Sequence, residues 1–194
     1  MTRIEVVQSG AWILVRLTSD DGTNRLTRAC VIELTETLCQ LARQPQPLVI
    51  TGNARFFSAG ADLSEIAALT GPSAYEFSKM GQALMTTIEQ FPAPVYAAIQ
   101  GYCMGGGLDL ALACHRRIAS PHALFGHRGA ALGLITGWGG TQRLPRLVGK
   151  AKALEMFVAA EKLHSGQALQ IGLVSAVVED PLAEAGRRIS DRRF

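Results

Sequence analysis

Two glycine-rich turns carry the residues whose chemistry is easiest to interpret. The stretch FFSAGADLSEI (56–66) places Gly60 just before Asp62, and GYCMGGG (101–107) precedes Asp109. Both turns lead into helical patterns, where unpaired N–H groups and the helix dipole favour negative charge. If these N–H groups converge, they can stabilise charge that develops on a carbonyl oxygen, as an oxyanion hole does. The alternative is that these stretches are tight turns that bind no ligand. We favour this alternative for a single glycine turn, and less so where two such turns each lead into a helix.

The elements that must position these turns alternate along the chain. Ile4–Val7 and Trp12–Leu17 predict an N-terminal hairpin. Further strands are predicted at 47–51, 95–100, 117–120, 123–125 and 174–178, and helices at 31–41, 63–69, 73–90, 108–113, 140–148 and 151–159. The alternation indicates an α/β fold, and the length and lack of a linker indicate one domain over 1–194.

Composition narrows the class of protein. With 48% apolar and 18% charged residues the chain is globular in character. Neither an apolar run of about 18 residues nor an apolar signal core is present, which predicts no membrane contact and a cytoplasmic location. The four cysteines show no C-x-x-C pairing, which predicts buried free thiols and no metal site: Cys30, Cys39, Cys103 and Cys114.

Charge and standard motifs exclude several functions. The net charge is +3, and the last residues hold Arg187, Arg188, Arg192 and Arg193 around Asp191. We interpret this tail as a solvated end, and without interleaved aromatic residues we expect no nucleic-acid partner. The glycine turns match neither G-x-G-x-x-G nor a phosphate-binding P-loop, and no G-x-S-x-G nucleophile elbow occurs. A nucleotide site and an α/β-type serine hydrolase are therefore disfavoured.

Three segments carry a resemblance to a known family. FFSAGADL, AAIQGYCMGGGLDLALAC and LGLITGWGGTQRLPRLVGKAKALEM resemble, in this order, the signature regions of the crotonase (enoyl-CoA hydratase/isomerase) superfamily. The resemblance covers nearly the whole chain, and the ordered set is far more specific than one glycine turn. It implies a ββα-spiral fold that binds acyl-CoA and stabilises a thioester enolate, with no cofactor beyond the coenzyme A moiety. It also implies a homotrimer or a dimer of trimers.

The resemblance also assigns site residues by position. The two oxyanion-hole amides fall on Ala61 and Gly106. Residues near the coenzyme A path fall on Arg25, Leu26, Ala59, Asp62 and Leu63. Asp62 is followed three residues later by Glu65, an arrangement like a capping box, so we favour a helix cap over acid–base catalysis for Asp62.

The acids around the oxyanion hole depart from the hydratase pattern. Hydratases of the family use two glutamates, and Asp109 occupies the first of those positions. We place its catalytic role slightly ahead of a helix-dipole role. Gly129 occupies the second position, where no proton can be carried. The neighbouring His127 is a possible general base, although a surface or packing role is the more common one for an isolated histidine.

These departures favour isomerase or other single-acid chemistry over two-glutamate hydration. The competing hypothesis is a non-catalytic or weakly active acyl-CoA-binding or assembly subunit. Family members usually continue beyond Gly172-Leu173-Val174 with several helices, so we expect a shortened C-terminal helical region, whether natural or truncated. A serine protease on a related spiral fold is a remote third hypothesis, since no nucleophile motif supports it.

Overall fold

The structure, a computed structural model, describes residues 1–191. Within these residues the strands are β1 Thr2–Ser9, β2 Trp12–Ser19, β3 Arg25–Leu26, β4 Leu48–Thr51, β5 Phe56–Ser58, β6 Gly60–Ala61, β7 Val95–Ile99, β8 Tyr102–Met104, β9 Arg116–Ala119, β10 Leu124–Gly126, β11 Leu163–His164 and β12 Ala176–Val177. The helices are α1 Arg28–Leu41, α2 Leu63–Ala67, α3 Gly71–Glu89, α4 Gly106–Ala113, α5 Gly140–Val148, α6 Lys150–Ala159, α7 Ser165–Gln170 and α8 Pro181–Ser190, with a 3-10 helix at Gly129–Leu132.

The main sheet has the order β1-β2-β4-β7-β9-β12 over the described residues. The predicted hairpin of β1 and β2 is antiparallel, and from β2 onward each neighbouring pair is parallel. Every residue of β4 and β7 is buried. Central parallel strands with both faces covered are typical of α/β proteins, so the predicted class is confirmed.

Two layers of helices cover this sheet. Leu48 and Ile50 belong to the large core that also contains the buried faces of α1 and α3. The intervening Val49 packs in a separate cluster with Ala185 and Ile189 of α8, on the opposite side. Successive side chains of a strand point to opposite faces, so the apolar run of β4 supplies both cores.

A second, smaller sheet has the order β11-β10-β8-β5, and β3 pairs with β6 beside it. Residues 101–107 were predicted to form only a turn, whereas Tyr102–Met104 form β8, parallel to both β5 and β10. Helix α4 also begins earlier than predicted, at Gly106 rather than at residue 108. Both differences bear on the site, because β8 delivers the chain directly to the start of α4.

One of the four thiols predicted to be buried is exposed, and only part of the arginine-rich tail lies within the described residues. Cys30, Cys103 and Cys114 are buried free thiols as predicted, but Cys39 is exposed. In the tail, Arg187 and Arg188 pair with Glu184, at 2.9 and 2.8 Å. Arg192 and Arg193 lie outside the described residues. No helix in the 1–191 region is both long enough and apolar enough to cross a membrane.

Candidate active site

Hydrogen bonds to Asn24 hold the first glycine turn in place. Its side-chain amide donates to the carbonyl oxygen of Phe56 at 2.9 Å, and Ser58 donates to the carbonyl oxygen of Asn24 at 2.7 Å. The Ser58 hydroxyl in turn accepts the N–H of Gly60 at 3.1 Å. Because Asn24 and Ser58 are fully buried, this network holds the backbone around Gly60 in one conformation.

The two glycine turns approach each other closely at Gly60 and Gly106. Gly60 has φ +95°, and a β-carbon there would lie 2.6 Å from the Met104 carbonyl oxygen and 3.0 Å from the Gly106 nitrogen. A β-carbon at Gly106 would lie 3.2 Å from the Ala61 nitrogen. Only glycine permits this approach. The two turns therefore lie in contact at this point, with the Ala61 nitrogen close to Gly106.

The start of helix α4 leaves the N–H of Gly106 without a hydrogen-bond acceptor inside the helix. Gly106 is the first residue of α4, so its N–H has no acceptor within the helix, whereas the N–H of Asp109 already donates to the Gly105 carbonyl oxygen at 3.0 Å. The helix dipole adds partial positive charge at this end. A developing negative charge at this point would be stabilised by both effects.

One cavity of about 590 Å³ contains these groups. Its wall includes Ala59, Ala61, Leu63, Gly106 and Asp109, so five of the sequence-predicted site residues come together. The rest of the wall is largely apolar and includes side chains from α2, α3, the 3-10 helix and α6: Ile66, Phe77, Leu132 and Phe157. An apolar cleft with a few convergent polar groups is typical of a small-molecule site.

The other predicted coenzyme A residues lie beside the cavity rather than in its wall. Leu26 is fully buried and pairs with Ala61 through the β3–β6 ladder. Arg25 is exposed, and its guanidinium lies 3.2 Å from Asp21 and 3.7 Å from Asp62. Arg25 is thus a cation at the edge of the first glycine turn, while Leu26 supports that turn from within.

Asp62 is the N-cap of α2, as predicted. Its carboxylate accepts the N–H groups of Ser64 at 2.9 Å and Glu65 at 3.3 Å. A hydrogen bond from the Ser64 hydroxyl is the main reason why the pKa of Asp62 is lowered. Glu65 does not complete a capping box: its carboxylate accepts the N–H of Arg28 at 2.7 Å, and so joins α2 to the start of α1.

Asp109 lies in the first turn of α4, three residues after Gly106, so the two share one face of the helix. The carboxyl is buried, with 1% exposure, and its Oδ2 accepts a hydrogen bond from the Thr136 hydroxyl. Burial raises the pKa of Asp109 from 3.8 to about 7, although the Thr136 hydrogen bond and the charge of Arg143 oppose the shift. An acid with this pKa can both accept and donate a proton near neutral pH.

His127 is neither on the surface nor isolated. Its imidazole is 4% exposed, lines the same cavity, and packs at a tilt against Phe157 with ring centroids 5.1 Å apart. Its Nε2 lies 3.5 Å from Asp109 Oδ1. Burial lowers the pKa of His127 from 6.5 to about 4, so the ring is neutral near neutral pH. Of the two predicted roles for His127, packing fits the structure and a surface position does not.

Gly129 opens the 3-10 helix and lines the cavity, where the resemblance placed a missing glutamate. Its carbonyl oxygen accepts the N–H of Leu134 at 2.8 Å, and a β-carbon at Gly129 would lie 2.7 Å from the Leu134 carbonyl oxygen. The loop is folded against the position that a side chain would occupy. The local fold of the loop therefore favours a glycine at position 129, which also leaves this position without a carboxylate.

Trp138 shapes the cavity, a role that the sequence did not predict. The ring is 3% exposed, packs against Phe77 with centroids 5.2 Å apart, and donates its N–H to the Phe77 carbonyl oxygen at 3.2 Å. Both Gly81 of α3 and Gly106 leave room for it, since β-carbons there would lie 2.2 and 2.6 Å from ring atoms. A tryptophan between two glycines, G-W-G, is the only sequence signal of this role.

Comparison with known proteins decides the family. Residues 8–189 match the sequence model described as enoyl-CoA hydratase/isomerase. The chain belongs to the enoyl-CoA hydratase/isomerase family. A probable enoyl-CoA hydratase of Bacillus subtilis (strain 168) is 45% identical over 160 residues, which make up 81% of this chain and 62% of that relative. The chain therefore spans less than two thirds of the length of that member of the hydratase/isomerase family.

Solved structures agree with this enoyl-CoA hydratase/isomerase membership. DspI of Pseudomonas aeruginosa superposes with a TM-score of 0.92 at 35% identity, over 97% of this chain and 73% of that one. The enoyl-CoA hydratase of Thermoplasma volcanium GSS1 gives a TM-score of 0.92 at 33% identity, over 97% and 76%. The predicted crotonase-like fold is confirmed.

Proposed function

We propose that the chain is an acyl-CoA enzyme that stabilises a thioester enolate and moves one proton with Asp109. The observation that carries the proposal is the approach of the two glycine turns, with a β-carbon at Gly106 only 3.2 Å from the Ala61 nitrogen. Two backbone N–H groups that point at the same carbonyl oxygen can each donate a hydrogen bond to it. As the α-proton leaves, charge grows on that oxygen, and donors already in place stabilise it most effectively.

Asp109 is the acid–base group of the proposal because it shares the helix face and the cavity of Gly106. As a carboxylate it removes the C2 proton of a 3-enoyl thioester, and the enolate forms on the two amides. The same carboxyl, now protonated, returns the proton to C4, which gives the 2-enoyl product. A single acid is sufficient for this isomerisation, so Gly129 is no obstacle.

The apolar wall of the cavity favours the binding of an acyl chain. Apolar side chains from α2, α3, the 3-10 helix and α6 surround the polar groups of the site. Arg25 is placed at the edge of the first turn, where a cation can contact a phosphate of coenzyme A. The name of the Bacillus relative, a probable enoyl-CoA hydratase, agrees with a thioester substrate of this class.

The test is a 3-enoyl-CoA isomerisation assay on the wild type and Asp109→Asn. We expect kcat/KM to fall roughly 10²-fold or more, the usual worth of a positioned acid–base group. Asp20→Asn is the matched control, since Asp20 is an exposed acid of the β2 turn. Equal isomerisation by wild type and Asp109→Asn would overturn the role of Asp109.

Gly129 also supports a second candidate, an acyl-CoA-binding subunit with little turnover. Its position in the cavity offers no second carboxylate. Calorimetric titration with an acyl-CoA, combined with a turnover screen over chain lengths, separates the two candidates. Tight binding without turnover favours the binding subunit, and turnover that depends on Asp109 favours the enzyme.

A further inference from the structure

Arg128 is the only lysine or arginine in the wall that the described residues form around the cavity. It is exposed, and it takes part in none of the ion pairs formed among residues 1–191. Two other arginines near the site have acidic partners: Arg25 lies between two aspartates, and Arg143 pairs with Glu89 at 2.6 Å. Arg128 is therefore a cation of the cavity wall whose charge no side chain of this region neutralises.

The backbone around the second glycine turn fixes the position of Arg128. The N–H of Gly105 donates to the Gly126 carbonyl oxygen at 2.9 Å, which joins the residue before Gly106 to the end of β10. A β-carbon at Gly126 would lie 3.8 Å from Arg128 Cγ and 3.6 Å from Met104 Sδ. Met104 and Arg128 both line the cavity. The stem of the arginine thus lies beside the second glycine turn.

Arg128 and Arg25 lie on opposite sides of this turn. In the smaller sheet β8 lies between β5 and β10. The chain leaves β5 through Ala59 and enters β6, which pairs with β3 and so with Arg25. Arg128 follows β10, on the other side of β8. A thioester whose coenzyme A phosphates contact Arg25 and whose carbonyl lies at the amides therefore leaves its acyl group on the side of Arg128.

Gly129 leaves the charge of Arg128 uncompensated. The glutamate that the family resemblance places at position 129 would stand next to the arginine in the chain, where its carboxylate could offset the guanidinium charge. The following wall residues Ala130 and Leu132 are apolar. Glu161, whose carbonyl oxygen would lie 2.9 Å from a β-carbon at Gly126, is exposed. A cation at the edge of an apolar wall suits a ligand with an apolar middle and an anionic end.

We propose that Arg128 is a specificity-determining residue that binds a carboxylate at the far end of the acyl group, so that the preferred substrates are coenzyme A thioesters of dicarboxylic acids. This inference rests on the proposed function, because it uses the same amides and the same direction of the thioester. It names the class of acyl group, which the amides and Asp109 leave open. The planar guanidinium offers paired N–H donors that match both oxygens of a carboxylate.

The test compares adipoyl-CoA with hexanoyl-CoA, which have equal length and differ only in the carboxylate or methyl group at C6. Calorimetric titration of the wild type should give a Kd for adipoyl-CoA roughly 10-fold or more below that for hexanoyl-CoA, the usual effect of a hydrogen bond to a charged group. The comparison is repeated with the five-carbon and eight-carbon pairs. A preference for the dicarboxylic thioester at none of the three lengths shows a solvated arginine only and overturns the inference.

Arg128→Gln should remove most of this preference, with Arg43→Gln as the matched control. Arg43 is exposed after α1 and lies outside the cavity wall, so its loss removes the same charge and should leave the preference unchanged. The same titrations distinguish an acyl carboxylate from a phosphate of coenzyme A, which a guanidinium binds by the same chemistry. Equal weakening of adipoyl-CoA, hexanoyl-CoA and free coenzyme A by Arg128→Gln would assign the arginine to a phosphate and overturn the inference.

Charge reversal at position 128 gives a result that misfolding cannot produce. Relative to hexanoyl-CoA, Arg128→Glu should bind adipoyl-CoA more weakly and 6-aminohexanoyl-CoA more tightly than the wild type does, because the sign of the charge at the end of the acyl group then decides. A gain of one ligand requires a folded cavity. Uniform loss of affinity for all three thioesters in a variant that unfolds cooperatively would contradict the inference.

Turnover separates this inference from the proposed function. Hex-3-enedioyl-CoA and hex-3-enoyl-CoA are matched substrates for isomerisation, and we expect the wild type to convert the first with the higher kcat/KM. Equal kcat/KM for both overturns this inference alone. Selective binding of adipoyl-CoA without isomerisation of either substrate overturns the proposed function and supports the carboxylate site. Wild-type protein that binds no acyl-CoA contradicts both.

Discussion

The six-membered ring of Trp138 lies directly against Gly106: a β-carbon at Gly106 would stand 2.6 Å from the ring atom Cζ3. The same β-carbon would stand 3.2 Å from the Ala61 nitrogen. The aromatic ring on one side and the first glycine turn on the other thus fix the position of the Gly106 amide. This contact joins the packing of the fold to the chemistry of the site.

Gly106→Ala is expected to displace the amide and reduce activity. The added methyl group cannot fit between the ring and the Ala61 backbone, so either Trp138 or the start of α4 must move. Loss of one oxyanion-hole donor typically costs 10²–10³ in kcat. We expect a fall of about that size in isomerisation. Gly166→Ala is the control, because a β-carbon at that helical glycine meets nothing within 4 Å. Unchanged kcat in Gly106→Ala would argue against the amide's role.

Trp138→Ala is expected to enlarge the cavity and destabilise the protein. The ring packs on Phe77 and fills the space left by Gly81 and Gly106. Truncating a buried aromatic side chain costs about 3–5 kcal/mol, so urea unfolding should shift by that order. Among variants that remain folded, kcat/KM for bulkier acyl groups should rise relative to kcat/KM for smaller ones. Trp138→Phe should lie between the wild type and Trp138→Ala, and an unchanged acyl preference in both would exclude Trp138 from specificity.

Asp109 and His127 should give opposite slopes of stability against pH. The folded pKa of Asp109 is raised from 3.8 to about 7, so its burial is tolerated at low pH and stability falls as pH rises between those values. The folded pKa of His127 is lowered from 6.5 to about 4, so stability falls as pH drops through that interval.

In the wild type these slopes largely cancel between about pH 4 and pH 6.5. Asp109→Asn should leave only the histidine effect, with stability falling on acidification. His127→Gln should leave only the aspartate effect, with stability falling as pH rises toward 7. Urea unfolding of the wild type and both variants over this range measures the slopes. Equal slopes in both variants would show that these burial effects are not present.

Gly129→Glu is not expected to restore a two-carboxylate hydratase. A β-carbon at Gly129 would meet the Leu134 carbonyl oxygen at 2.7 Å, so the 3-10 helix must shift to admit any side chain. Such overpacking typically costs 1–3 kcal/mol. Ala130→Glu places the same charge one residue later in the same 3-10 helix and serves as the control. A gain in hydration with unchanged stability in Gly129→Glu would refute this account of the loop.

Much of this site was predictable because its main signals are local. The two glycine turns and Asp109 stand in continuous motifs, and the cap at Asp62 follows from the residues next to it. Strands β5, β6 and β8 were not predicted, because two or three residues are too few to show a period. Their pairing decides where the turns meet.

The His127–Asp109 pair could not be predicted because it depends on contacts between distant segments. Parallel pairing of Gly126 with Met104 places the residue after β10 next to the start of α4. No local pattern around His127 reports that pairing. Trp138 was missed for the same reason, since its partners Phe77 and Gly81 lie on α3.

The central claim is that the Ala61 and Gly106 amides stabilise an enolate whose proton Asp109 carries. Its most direct measurement is NMR of deuterium incorporation from D₂O at C2 of a saturated acyl-CoA, which requires the enolate and no later step. We predict incorporation by the wild type and a rate roughly 10²-fold lower with Asp109→Asn. No incorporation by wild-type protein with the acyl-CoA bound, or equal rates with and without the Asp109 carboxylate, would contradict the account.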